Sequence, residues 1–196
     1  MLGRYIKDRD PLARVVFIGP CVAKKREFHL GRTRSSIDLV ITFEELYSML
    51  AAKDIDVTKM PEAPLDHASG FGRSFAASGG VAAAVGQALK EMGSKAEART
   101  LPCSGIEECK IALLKMSKGM LPENFIEGMA CQGGCVQGPA VIMRSPKNKA
   151  EVSKHAKQAG DRTINGAINQ AGGTGEPGSS EKKPGGAVEK NRVAVE

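Results

Sequence analysis

Three short strand-like runs in this chain each stop at a turn, and each has a cysteine at or just beyond its end. Residues 15–18 stop at Gly19-Pro20 and lead to Cys21, residues 98–101 stop at Pro102 and lead to Cys103, and residues 124–129 run into a glycine-rich loop over 131–139 that begins with Cys131. A fourth run covers 38–41. Helical patterns fill the intervals. Thr42 opens T-F-E-E, a capping box with Glu45, which predicts a helix over 43–52. Ser78-Gly79-Gly80 opens a helix over 81–92 that Gly93 ends. Ile106, Cys109, Leu113 and Met116 form one apolar stripe of a helix over 105–118. Further helical character lies at 150–159 and 163–168, while 53–72 reads as a long loop of the functional or mobile kind. Alternating strands and helices predict an α/β fold: a parallel sheet with helices on both faces. Such sheets bind ligands at the carboxyl ends of their strands. That is where Cys21, Cys103 and Cys131 stand.

Composition narrows the options. With no Trp, two Tyr and six Phe, a core must come from Ala, Val, Ile, Leu and Met. No uninterrupted apolar run approaches the roughly 18 residues of a membrane span. The opening MLGRYIKDRDP has no apolar segment of a secretory signal. A cytoplasmic location is expected. The net charge of +6 is scattered, its longest cluster being Lys24-Lys25-Arg26, and aromatics for base stacking are few. Nucleic acid and membrane are therefore not the expected partners; an acidic protein such as a small electron carrier suits this charge better. From about residue 169 onward Gly, Pro, Ser, Glu and Lys dominate without Leu or aromatic residues, too little apolar area to offset ordering entropy, so 169–196 is expected to be a disordered tail after a domain over 1–168.

Five cysteines without an export signal argue for metal binding or catalysis over a disulfide framework. The strongest local signal is Cys131-Gln132-Gly133-Gly134-Cys135, two thiols across two glycines that let the backbone approach a bulky inorganic group. Zinc fingers use other spacings and histidine partners, and His29, His67 and His155 have no ligand spacing. Thiolate-only ligation favours an iron–sulfur cluster. Cys21, Cys131 and Cys135 come from loops expected to be adjacent. A fourth donor would be Cys103, Cys109 or a residue outside this chain, and Cys109, on the apolar stripe, reads as a small packed hydrophobe. Spacing alone supports an iron–sulfur protein and nothing sharper.

Phe17-Ile18-Gly19-Pro20-Cys21-Val22-Ala23-Lys24-Lys25-Arg26-Glu27 resembles the second signature of the FeFe (iron-only) hydrogenases, and Phe125 through Cys135 (FIEGMACQGGC) resembles the third. Between them, Phe75-Ala76-Ala77-Ser78-Gly79-Gly80-Val81 resembles the family's Gly-Gly segment before a helix. The resemblance covers residues 1 to about 168. It implies the carboxy-terminal part of a catalytic domain that holds an H-cluster: a 4Fe–4S cubane joined through one cysteine to a two-iron unit carrying CO and cyanide. By motif position it implies that Cys21, Cys131 and Cys135 ligate the cubane, with Cys135 as the bridge, that Lys24 donates to a cyanide, and that Met129 packs beside the two-iron unit. Glu27 receives no role. The implied reaction is the reversible reduction of protons to hydrogen, with a ferredoxin-like carrier and hydrogenase maturation proteins as partners.

Two departures from the family pattern carry consequences. The family's first signature, adjacent cysteines before a proline, supplies a fourth cubane ligand and a proton-carrying thiol. It should lie upstream of Met1, because Met1 to Lys7 looks like the interior of the helix that follows it. The chain is thus expected to be an amino-terminal truncation, or a reading frame begun at an internal Met, and to be inactive alone. Gly19 stands where hydrogen-evolving members usually have Met and resembles sensory members instead. A hydrogen or redox sensor is therefore one alternative. A non-hydrogenase iron–sulfur relative that delivers clusters is another, and a zinc or structural cysteine site on an α/β domain is a third.

Overall fold

The computed structural model describes residues 1–31, 33–62, 68–160 and 163–170. In chain order the elements are α1 (Leu2–Arg9), β1 (Val16–Gly19), α2 (Ala23–Glu27), β2 (Leu39–Thr42), α3 (Phe43–Ala51), α4 (Gly70–Arg73), α5 (Gly80–Glu91), β3 (Thr100–Ser104), α6 (Ile106–Ser117), β4 (Phe125–Met129), α7 (Asn148–Lys157) and α8 (Ile164–Gln170). The expected alternation of strands and helices is present, and every strand pairing is parallel.

The described strands form two two-stranded sheets, β1 with β2 and β3 with β4. In the second, helices cover both faces. Glu127 of β4 bonds to the start of α5. The next residue, Gly128, would place a Cβ 3.3 Å from the sulfur of Cys109 on α6. Neighbouring strand residues point to opposite faces, so α5 and α6 sandwich the pair. Gly128 also shows why β4 has a glycine there: its missing side chain is the room the Cys109 thiol uses.

Local chemistry sets the element ends. Thr42 accepts from the Glu45 N–H while the Glu45 carboxylate accepts from the Thr42 N–H, the reciprocal box that starts α3. Gly93, at φ 61°, ends the chain segment after α5. Lys25 of α2 pairs with Glu45 and Lys24 with Glu27, so two of the three clustered basic residues are held in ion pairs.

Three expectations need correction. β3 does not stop at Pro102 but runs through it to Ser104, so Cys103 lies inside the strand instead of after it. A proline fits because, among the described residues, β3 pairs with β4 alone and has an open edge on its other side. Of the apolar stripe expected on α6 only Cys109 turns to the strands: Ile106 is 56% and Leu113 57% exposed, whereas Ala112, outside the stripe, is buried. Small residues let the helix lie close on a narrow two-stranded sheet, which cannot also cover the large ones. The region 53–72 is less irregular than expected, holding one 3-10 turn at Val57–Lys59 and α4, capped by Asp56 and Ser69. Residues 63–67, including His67, lie outside the described residues.

The buried apolar set is small, chiefly alanines with Val40 and Val136. Helix α8 continues to Gln170, two residues beyond the expected domain end. The expected tail from residue 171 onward lies outside the described residues.

Candidate metal centre

Cys21 follows β1 by two residues and Cys131 follows β4 by two, both at carboxyl ends of parallel strands as expected. Cys135 opens a 3-10 turn, Cys135–Gln137. Between the paired cysteines, Gly133 and Gly134 have φ of 84° and 91°, the left-handed region that side chains rarely enter. At Gly134 space is lacking too: a Cβ would stand 2.6 Å from the Ser78 nitrogen and 2.7 Å from the Ala76 oxygen.

The loop is pinned from three directions. Ser78 N–H donates to the Gly133 carbonyl (3.2 Å) and Val136 N–H donates to the Ala76 carbonyl (3.0 Å), so the segment before α5 backs the loop. Gly133 N–H donates to the Ser104 hydroxyl at the end of β3 (2.7 Å). Ala140 N–H donates to the Pro20 carbonyl (3.2 Å), which ties the stretch after Cys135 to the residue before Cys21.

These contacts bring three thiols into one electrostatic neighbourhood. Burial is the main cause that pushes the Cys135 thiol above its ordinary value, and the neighbouring thiols of Cys21 and Cys131 push it further; the Lys24 ammonium acts the other way. Lys24 is the first turn of α2, just past Cys21, and its Nζ donates to the Glu27 carboxylate at 2.6 Å. Glu27, left without a role by the sequence, thus holds Lys24. Met129 ends β4 half-buried, and its carbonyl accepts from the Gly105 N–H (2.8 Å).

Cys103 and Cys109 stand apart from this group. Cys103 is 3% exposed, and its thiol is pushed up by burial first and then by Cys109, Glu108 and Glu127, not by the loop cysteines. Cys109 faces the Cys103 and Met129 carbonyls at 4.0 and 3.8 Å, the packed position expected of it. Among the described residues, no group of three or more His, Cys, Asp or Glu side chains converges tightly enough to hold a single metal ion.

Sequence reasoning missed two residues that build the site. Ser104 anchors Gly133, and Glu127, 5% exposed, accepts from Gly79 N–H (3.1 Å) and Ala82 N–H (2.9 Å). The signal for Glu127 was available: a carboxylate in an otherwise apolar strand must find donors.

Comparison with known proteins agrees with this architecture. The family described as "Iron only hydrogenase large subunit, C-terminal domain" matches residues 1–139. Iron hydrogenase 1 of Clostridium pasteurianum is 30% identical over 171 residues, covering 70% of this chain and 30% of that protein. A periplasmic Fe hydrogenase large subunit of Nitratidesulfovibrio vulgaris is 31% identical over 157 residues, covering 63% of this chain and 37% of that protein. The chain therefore spans about a third of the length of these relatives. A solved apo FeFe-hydrogenase of Chlamydomonas reinhardtii superposes with a TM-score of 0.57 at 18% identity, over 87% of this chain and 61% of that one, which is a likeness of fold. No described helix is long and apolar enough to cross a membrane. With its parallel strand pairs flanked by helices and both cysteine-bearing turns inside the matched span, this chain belongs to the family of the iron-only hydrogenase large subunit, C-terminal domain.

Proposed function

We propose that residues 1–168 are part of an FeFe-hydrogenase catalytic domain and that Cys21, Cys131 and Cys135 hold the 4Fe–4S cubane of an H-cluster. The observation that carries this reading is the Ala140–Pro20 hydrogen bond, which joins the turn of Cys21 to the loop of Cys131 and Cys135; it agrees with the upward push that Cys21 and Cys131 exert on the Cys135 thiol. The donor set fits: three sulfurs without a histidine or carboxylate suit iron–sulfur chemistry. The fourth cubane ligand is read as coming from outside these loops.

When bound, the two-iron unit with its CO and cyanide ligands supplies the reversible two-electron conversion of protons and hydrogen. This chain's own residues bind and orient it. Cys135 would hold both the cubane and the two-iron unit. Lys24, steadied by Glu27, would offer an ammonium donor to a cyanide, a charge-assisted bond. Met129, at the end of β4, would pack beside the two-iron unit. The partners this reading implies are a ferredoxin-like electron carrier and hydrogenase maturation proteins. The compartment is read as cytoplasmic from five unpaired cysteines.

A second reading, a hydrogen or redox sensor, is favoured by Gly19. A Cβ there would stand 2.8 Å from the Phe17 ring, so the ring takes the space a methionine would need.

The test is anaerobic reconstitution of the full chain with ferrous iron, sulfide and a small thiol as external fourth ligand. The expected result is a cubane signal in electron paramagnetic resonance that Cys21→Ala, Cys131→Ala and Cys135→Ala each abolish. Uptake equal to wild type in all three variants, or none in wild type, overturns the ligand assignment. Loading with a synthetic two-iron unit should then give CO and cyanide infrared bands; hydrogen evolution comparable to an intact enzyme would contradict the expected inactivity of this chain alone.

A further inference from the structure

The buried carboxylate of Glu127 is not used by the reading above, yet it joins the two halves of the site. It stands in β4, the strand that ends just before Cys131, and accepts from Gly79 N–H and Ala82 N–H at the amino end of α5. The chain immediately before α5 is the backing of the cysteine loop: Ala76 accepts from Val136 N–H, Ser78 donates to Gly133, and Ala77 faces Gly134 in an antiparallel bridge. The amino end of a helix has several N–H groups without internal partners, and a buried one must be given an acceptor. Here the acceptor comes from another element, so the helix start cannot shift without stranding both the donors and the carboxylate.

We propose that Glu127 is a positioning residue: by clamping the start of α5 to β4 it holds Ala76–Ser78 where Gly134 and Val136 pack, and so sets the place of Cys135 relative to Cys131. The route is closed. One branch runs along β4 to Cys131, the other runs from Glu127 through Gly79 and Ala76 to Cys135, and both end at the same five-residue loop, Cys131–Cys135. Gly134 makes the fit tight, since even a Cβ there would collide with Ser78 and Ala76. A displacement of the α5 start therefore passes directly to the loop.

The part of this inference that concerns metal rests on Cys131 and Cys135 as cluster ligands; the part that concerns the loop does not. Both are tested on the full chain with Glu127→Gln, which keeps size and one acceptor oxygen but turns an N–H donor toward N–H donors. Amide hydrogen exchange in the metal-free variant should be about tenfold faster at 76–82 and at 131–137 and unchanged in α6. Reconstitution with ferrous iron and sulfide should give several-fold less cubane, and Glu127→Asp should recover part of it. Equal exchange at 131–137 in wild type and a folded Glu127→Gln overturns the proposal. Failure of wild type to take up iron overturns the ligand assignment and leaves the exchange result to be judged by itself. Should Glu127→Gln not fold, wild-type exchange in rising denaturant decides: Ala82 and Val136 opening together before α6 supports the coupling, and separate openings, or a joint opening only at global unfolding, overturn it.

Discussion

Gly138 lies directly against Pro20: a Cβ on residue 138 would stand 2.3 Å from the Pro20 carbonyl oxygen. With the Ala140–Pro20 hydrogen bond, this contact is where the turn of Cys21 meets the loop of Cys131 and Cys135. The obstacle is backbone and cannot rotate away. Gly138→Ala should cost about 1–3 kcal/mol, read as a lower urea midpoint. It should also reduce cubane uptake more than that loss of stability explains. A variant with normal uptake would show that the two turns need not touch.

The Ser104 hydroxyl receives the Gly133 N–H at 2.7 Å. Ser104→Ala leaves that amide without its acceptor, so a loss of about 1–2 kcal/mol is expected in urea unfolding. Exchange of the Gly133 amide should rise while α3 is unaffected.

Thr42 and Glu45 cap α3 reciprocally, remote from the cysteines. Thr42→Ala should cost about 1 kcal/mol in thermal or urea unfolding and leave cubane uptake unchanged. A change in uptake would mean that α3 is coupled to the site.

Asp38 accepts from Lys7 Nζ (2.9 Å) and from Val15 N–H (2.7 Å), and these two bonds hold its carboxyl below the ordinary carboxylate value. The folded chain then binds this proton less readily than the unfolded chain. Its contribution to stability is complete above the ordinary range, about pH 4, and is lost as pH falls toward the lower folded value. Titrating the urea midpoint should show this loss only below about pH 5. In Asp38→Asn that share of the acid dependence should vanish.

Cys103 sits within β3 with its thiol in contact with strand and helix, not with the loop cysteines. Cys103→Ala should therefore leave the cubane signal intact while lowering stability by about 1 kcal/mol. Loss of the signal would make Cys103 a ligand and the fold around β3 more open than it stands here.

Much of this was readable without coordinates where the determinant was local. The capping box at Thr42, the stop at Gly93, and the positive φ of Gly133 and Gly134 follow from which residues stand next to one another. Periodicity failed at α6, because its apolar residues are spread around the helix and spacing cannot say which face a narrow sheet accepts. It failed at Pro102 for a related reason: whether a strand tolerates proline depends on having an open edge.

The amino-acid sequence by itself determined the alternation of the strands with the longer helices, the cap of α3, and a loop flexible enough to present two thiols, since each depends on side chains within a few positions. Only the tertiary structure decided that Gly138 rests on Pro20, that Glu127 clamps α5, and that Cys135 shares its surroundings with Cys21 while Cys103 does not. Those pairings join residues up to about 120 positions apart, and close packing of backbone against backbone has no signature in the pattern of side chains.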